Sequence, residues 1–159
     1  LGDSALDYFS KEDLNNAYDI FDYKNSEFRY YFLAYKNSKT YEYIQITVKP
    51  SDKDFIIFGL QGHIFYNEIE ECYDQMYLIR KELNTLFNIK SIEDNGSHYI
   101  DPSGMSTYQR SIFYFEKDDA VEIVCYDMSE SLEEKGKSDR LAVNMTRRTF
   151  KDFINKNYD

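Results

Sequence analysis

The sequence contains few of the residues from which metal and redox sites are built. Its 159 residues include only two cysteines, two histidines and no tryptophan. Cys72 and Cys125 are too far apart for a CxxC motif, and His63 and His98 do not form an HExxH motif. The acidic residues do not follow the spacing of an EF-hand loop. We therefore expect neither a metal centre nor a cofactor.

Motifs of nucleophilic and nucleotide chemistry are also missing. The chain has no GxSxG nucleophile elbow, no GxGxxG and no P-loop. The loop that contains His98 also carries Asp94, Ser97, Asp101 and Ser103, which are residue types that a hydrolase or a cation site would use. We expect a protein that is not an enzyme, and an enzyme of unknown reaction around His98 remains the weaker alternative.

Long apolar runs are absent as well. No stretch of about 18 apolar residues occurs, so we expect no membrane insertion. The sequence begins Leu1-Gly2-Asp3 rather than with Met, which fits either removal of a signal peptide or the arbitrary boundary of a fragment. We expect a secreted or periplasmic protein, with a cytoplasmic location as the alternative.

Basic residues are outnumbered by acidic ones. There are 19 Lys and Arg against 29 Asp and Glu, which gives a net charge of −10. A nucleic-acid partner is not expected, because phosphate binding requires clustered basic side chains. A protein or peptide partner, above all a basic one, would be attracted by this field. The protein itself is expected to be a monomer or a homodimer.

The patterning predicts an α+β fold with a largely antiparallel sheet of about six strands and helices on one face. The expected order is α-βββ-α-βββ-α. A capping box of Ser10 and Asp13 begins the first helix. Helices are expected at about 11–22, 67–87 and 147–158, and strands at 28–35, 40–50, 54–66, 108–116, 120–128 and 140–146. The segment Asn88–Ser106 is expected to be irregular, because it holds several turn signals.

Length and element order bear on domain organisation. A chain of 159 residues is the size of one domain, so we expect a single domain over residues 1–159. The two βββα halves, about 28–87 and 108–157, are consistent with an internal duplication of elements, although residue identity between them is poor.

The two cysteines fall on predicted core faces. Cys72 belongs to an apolar stripe of the 67–87 helix, which is Ile69, Cys72, Met76, Ile79, Leu83 and Leu86. Cys125 shares a strand face with Val121 and Ile123. A Cys72–Cys125 disulfide would close a long loop and stabilise the fold by roughly 4 kcal/mol. Two buried free thiols are the alternative.

These observations favour a small acidic secreted or periplasmic domain that acts as a non-catalytic binding or interaction module. The element order, size and acidity over the whole chain also resemble those of the small acidic type III secretion chaperones and of sensory-regulator proteins with a similar fold. That resemblance carries no matching motif residues, and it implies a cytosolic chaperone. Acidic toxin-immunity proteins share the composition, which implies an inhibitor of a basic protein.

Overall fold

The computed structural model describes residues 1–35, 39–98, 100–115 and 119–158. Over these ranges the fold is α+β, with one antiparallel sheet of eight strands and four α-helices. The strands are β1 (Asp19–Asp22), β2 (Arg29–Ala34), β3 (Tyr43–Val48), β4 (Ile57–Phe65), β5 (Ile92–Ser97), β6 (Thr107–Tyr114), β7 (Ala120–Asp127) and β8 (Arg140–Thr146). The helices are α1 (Lys11–Asn15), α2 (Ile69–Phe87), α3 (Glu130–Glu133) and α4 (Arg148–Tyr158). The strand order is β1-β2-β3-β4-β8-β7-β6-β5.

The chain divides into two compact units. The first unit comprises Leu1–Gly62, Phe115–Ala120 and Asn144–Asp159, and the second comprises His63–Tyr114 and Val121–Val143. Strands β1, β2 and β3 therefore belong to the first unit together with α4, whereas β5 and β6 belong to the second together with α2. No helix in the described part of the chain is long and apolar enough to cross a membrane.

One strand face of the first unit forms its main core. Ile44, Ile46 and Val48 alternate along β3, so their side chains point to the same side. They pack with two residues of β2, Tyr31 and Leu33. Ala5, Leu14 and Ile57 complete the buried part of this cluster.

Helix α4 lies on the opposite face of the same strands. Phe150 and Phe153 of α4 pack against Phe28, and their ring centroids lie 5.0 Å from that of Phe28. Phe150 also lies beside Thr47, whose side chain points away from the Ile46 core. The prediction of helices on one face is thus wrong for the first unit, because α1 and α4 cover opposite faces.

Helix α2 follows the predicted boundaries closely, but its apolar stripe is only partly buried. Cys72 and Met76 are buried, and Ile69, Ile79 and Leu83 are half-buried. The prediction for Leu86 is wrong, since 73% of this residue is exposed near the end of the helix. The helix ends at Asn88, which adopts the left-handed conformation at φ 52°.

The N-terminal helix is shorter than predicted. The capping box forms, because the Ser10 side chain accepts from the Asp13 N–H at 3.1 Å and Asp13 accepts from the Ser10 N–H at 2.9 Å. The helix nevertheless ends at Asn15, and residues 19–22 form β1 instead. Pairing with β2 satisfies the backbone groups of β1, with Asp19 opposite Phe32 and Asp22 opposite Arg29.

The segment 88–106 is not irregular throughout. Residues 92–97 form β5, which pairs antiparallel with β6. The described sheet therefore has two strands more than predicted, β1 and β5. The element order now contains four strands and a long helix twice, β1–β4 with α2 and β5–β8 with α4. An internal duplication and a single domain remain predictions.

Candidate functional site

The two cysteines meet in the second unit. The Sγ atoms of Cys72 on α2 and Cys125 on β7 lie 2.01 Å apart, and their Cα atoms lie 6.0 Å apart. Both residues are fully buried. This is the geometry of a disulfide, and the bond attaches α2 to the β7 face that carries Ile123 and Cys125. The opposite face of β7 carries Glu122, Val124 and Tyr126.

The Asp101 carboxylate accepts hydrogen bonds from two serines of the loop that follows β5 and from Ser129, which precedes α3. Its Oδ1 accepts from the Ser103 hydroxyl at 2.6 Å, and its Oδ2 accepts from the hydroxyls of Ser106 and Ser129 at 2.7 and 2.8 Å. The backbone N–H groups of Ser103 and Ser106 also donate to this carboxylate. These hydroxyl contacts hold the pKa of Asp101 well below its usual range. We call these four residues the Asp101 clasp.

His98 is oriented by different contacts. Its Nδ1 accepts from the Ile100 N–H at 3.2 Å, which leaves the proton of the neutral ring on Nε2. The ring lies against Tyr126, with centroids 4.8 Å apart. Burial lowers the pKa of His98, and the nearby Arg140 lowers it further, while Asp101 opposes both effects. The imidazole is therefore kept neutral at pH 7.

The clasp does not have the arrangement of a serine hydrolase. In such a triad the serine hydroxyl donates to the imidazole, and the carboxylate orients that imidazole. Here the hydroxyl protons of Ser103, Ser106 and Ser129 point to the carboxylate of Asp101 at 2.6–2.8 Å. A hydroxyl has one proton, so these serines are committed to holding the loop. The geometry supports a structural role for Asp101 and Ser103.

A concavity of about 350 Å³ lies on the strand face opposite α2. Tyr108 and Arg110 of β6 meet Glu122, Val124 and Tyr126 of β7 there. Ser97 and His98, at the end of β5, line it as well. The volume is within the range of small-ligand sites. The lining combines a guanidinium, a carboxylate, hydroxyls and aromatic rings on regular strands, so these groups are held in fixed positions.

Arg110 is held in the concavity by two carboxylates and a tyrosine ring. Its Nε and Nη2 donate to Asp94 Oδ2 at 2.9 and 2.6 Å, and its Nη1 donates to Glu122 at 3.1 Å. The guanidinium also lies over the Tyr108 ring, 5.2 Å from its centroid. The contact with Arg110 lowers the pKa of Asp94, so this carboxylate stays ionised at neutral pH.

A second arginine stands beside Tyr126. The Arg140 guanidinium lies 4.6 Å from the Tyr126 ring centroid, while His98 contacts the same ring. The positive charge of Arg140 also acts on the pKa of His63, which lies on β4. Burial, with a smaller contribution from Arg140, lowers the pKa of His63 to about 4. His63 is buried, with 6% of the residue exposed.

The structure separates the residues that the loop pattern had grouped together. Ser97 and His98 line the concavity and Asp94 holds Arg110, whereas Asp101 and Ser103 belong to the clasp. Sequence reasoning missed Arg110 and the carboxylate of Glu122 on the neighbouring strand. Alternation within β6 and β7 was the available signal, since it places both opposite the cysteine face. Residues 1–35, 39–98, 100–115 and 119–158 contain no group of three or more His, Cys, Asp and Glu positioned to hold a metal ion.

Comparisons with known proteins give no assignment. No protein-family model matches the chain, and no curated protein or solved structure matches it either.

Proposed function

We propose that this chain is a non-catalytic binding module, secreted or periplasmic, which recognises a protein or peptide partner through the concavity on β6 and β7. The observation that carries the proposal is the fixed position of Arg110 between Asp94, Glu122 and Tyr108 in that concavity. A side chain that is already ordered loses little entropy on binding, which favours affinity.

The composition of the concavity supports a protein or peptide partner. Arginine and tyrosine dominate the energetics of protein interfaces, and Tyr108, Arg110 and Tyr126 meet in one place here. Donors and acceptors lie side by side, as recognition of a peptide backbone and its side chains requires. The serine hydroxyls of the clasp donate to the Asp101 carboxylate, and this arrangement favours binding over hydrolysis.

The buried Cys72–Cys125 pair supports the location. Structural disulfides persist in secreted and periplasmic proteins and are rare in the reducing cytosol. The net charge of −10 favours the second candidate, a cytosolic chaperone or inhibitor of a basic protein. The disulfide weighs against a cytosolic chaperone or inhibitor, because the chain would then work in a reducing compartment, where disulfides are rare.

The test is partner capture by matched variants. The wild-type chain is immobilised on a solid support and incubated with the fluid or extract of its native source. The captured protein is identified, and the Kd of its complex with the chain is measured. Arg110→Lys keeps the charge but loses the planar fork that joins Asp94 and Glu122, so we expect weaker binding by tenfold or more, about 1.4 kcal/mol. Arg29→Lys is the control, because Arg29 forms a comparable surface pair with Asp22 at 2.7 and 2.8 Å in the first unit.

The control should bind like the wild-type chain. Equal affinity of the wild-type chain and Arg110→Lys for the captured protein would contradict the proposed site. Turnover of the captured partner that His98→Ala abolishes would contradict the non-catalytic assignment.

A further inference from the structure

The first unit has a strand face of unusual composition. Tyr43, Gln45 and Thr47 alternate along β3 and point away from the core face of Ile44 and Ile46. In the register with β2, Gln45 lies opposite Phe32. Residues directly opposite each other in an antiparallel pair share a face. Phe32 and Gln45 are therefore neighbours on this face.

Three aromatic rings form a row at one end of it. The rings of Phe32 and Tyr43 are parallel to within 2°, with centroids 5.2 Å apart. Tyr18 meets Tyr43 edge to face at 5.5 Å, and 72% of Tyr18 is exposed. We call Tyr18, Phe32 and Tyr43 the aromatic row. The carboxylate of Asp19 borders it and accepts from the Tyr30 hydroxyl at 2.6 Å.

An uncharged pocket continues the row. It has a volume of about 120 Å³, and the amide side chains of Gln45, Gln61 and Asn144 line it together with the apolar side chains of Leu60, Met145 and Phe150. None of the described residues that line this pocket carries a charge, although 30% of the chain is charged. An amide side chain offers both donors and an acceptor.

The chemistry of this face selects a class of ligand. A sugar ring presents C–H groups to an aromatic face, and its hydroxyls donate and accept hydrogen bonds as amides do. A neutral sugar also needs no counter-charge. We propose that the aromatic row and the amide pocket form a binding site for a neutral oligosaccharide. The site is independent of the concavity in the second unit, because every residue that carries it belongs to the first.

The experiment is a titration of the full, isotope-labelled chain followed by backbone amide NMR. The probes are three soluble neutral hexasaccharides: β-1,4-linked glucose, β-1,4-linked N-acetylglucosamine and α-1,4-linked glucose. At least one should bind and shift amides of β2 and β3. Tyr18→Ala and Gln45→Ala should each weaken that binding roughly fivefold or more. Tyr18 is mostly exposed, so its variant is expected to fold, and circular dichroism checks this.

Tyr77→Ala is the matched control, since Tyr77 is an exposed tyrosine of α2 in the second unit. Its affinity should equal that of the wild-type chain. The proposal is overturned if no hexasaccharide shifts these amides at millimolar concentration, or if the control and Tyr18→Ala weaken binding equally. It is also overturned if an uncharged extended peptide shifts the same amides while all three sugars fail.

Discussion

His63 shows how a single buried side chain makes stability depend on pH. In the folded chain its pKa is lowered to about 4, first by burial and then by Arg140, whereas an unfolded histidine titrates near 6.5. Below pH 6.5 the unfolded state thus binds more protons than the folded state. Linkage then requires that the free energy of unfolding is fully retained above pH 6.5 and falls as the pH drops towards 4.

We expect His63 to account for a loss of up to roughly 3 kcal/mol over that window. Urea unfolding at pH 7 and pH 4.5 measures it, and His63→Asn should show a smaller difference between the two pH values. Comparing the wild-type chain with His63→Asn removes the contributions that other titrating groups, including His98 and Asp127, make to the pH dependence of the unfolding free energy. Equal differences in the two chains would show that His63 is not held neutral by the fold.

The Asp101 clasp gives a second prediction. Asp101→Asn removes the charge that accepts three serine hydroxyls, so we expect faster hydrogen exchange at the Ser103 and Ser106 amides and a lower thermal midpoint. Asp22→Asn is the control, because its ion pair with Arg29 is exposed and contributes little. Unchanged exchange at both serine amides would show that the carboxylate does not hold this loop.

The burial of α2 distinguishes two leucines of the same predicted stripe. Leu83 is half-buried, and Leu86 is 73% exposed. Leu83→Ala should lower the free energy of unfolding by roughly 1–2 kcal/mol, which is less than full burial would cost, and Leu86→Ala should change it by less than about 0.5 kcal/mol. Chemical denaturation of both variants measures this. A larger effect for Leu86 would mean that the end of α2 is covered.

The two strands missed from the sequence show where local patterns give the wrong answer. In the N-terminal segment, Leu14, Ala17, Tyr18 and Phe21 have helical spacing, yet Leu14 is buried and Ala17 partly buried against the core, whereas Tyr18 and Phe21 are exposed. Tyr18 instead donates its N–H to the Phe32 carbonyl, and Phe21 stacks on Tyr30. Pairing with β2 replaces the helix, which is a tertiary contact that periodicity does not reveal.

Strand β5 was not predicted, because its sequence contains residues that are typical of turns. Asn95-Gly96 is a strong turn signal, but Gly96 lies opposite Tyr108 in the β5–β6 ladder. A Cβ at Gly96 would approach the Tyr108 hydroxyl to 3.1 Å, so the lack of a side chain at Gly96 leaves room for the Tyr108 ring. Asp94 contacts Arg110 across the same two strands. These cross-strand contacts specify β5, and the Asp94–Arg110 contact joins residues 16 positions apart.

For the molecule as a whole, the sequence predicted the α+β class, the antiparallel sheet and the extent of α2, because strong alternation and helical periodicity mark buried elements. The concavity was harder to predict from the sequence. His98 and Ser97 were named from their loop, whereas Arg110 and Glu122 come together only through strand pairing. Of the two serines named from the loop, Ser103 donates to Asp101, whereas Ser97 lines the concavity.

The Cys72–Cys125 bond is expected to dominate the stability of the chain. The two residues are 53 positions apart, so the bond restricts a long loop of the unfolded chain. Reduction should lower the free energy of unfolding by roughly 4 kcal/mol. Urea midpoints with and without a phosphine reductant measure the effect, and the double variant Cys72→Ala with Cys125→Ala should not respond to the reductant. An equal response in both chains would assign the effect to something other than the bridge.

The thiol state of the protein in its native source tests most directly whether this is a binding module of an oxidising compartment. Native-source protein is alkylated without reduction, digested and analysed by mass spectrometry. We predict no alkylation of either cysteine and a cross-linked pair of peptides that contains Cys72 and Cys125, which separates only after reduction. Full alkylation of both cysteines before reduction would contradict this, and the cytosolic chaperone or inhibitor would then become the better proposal.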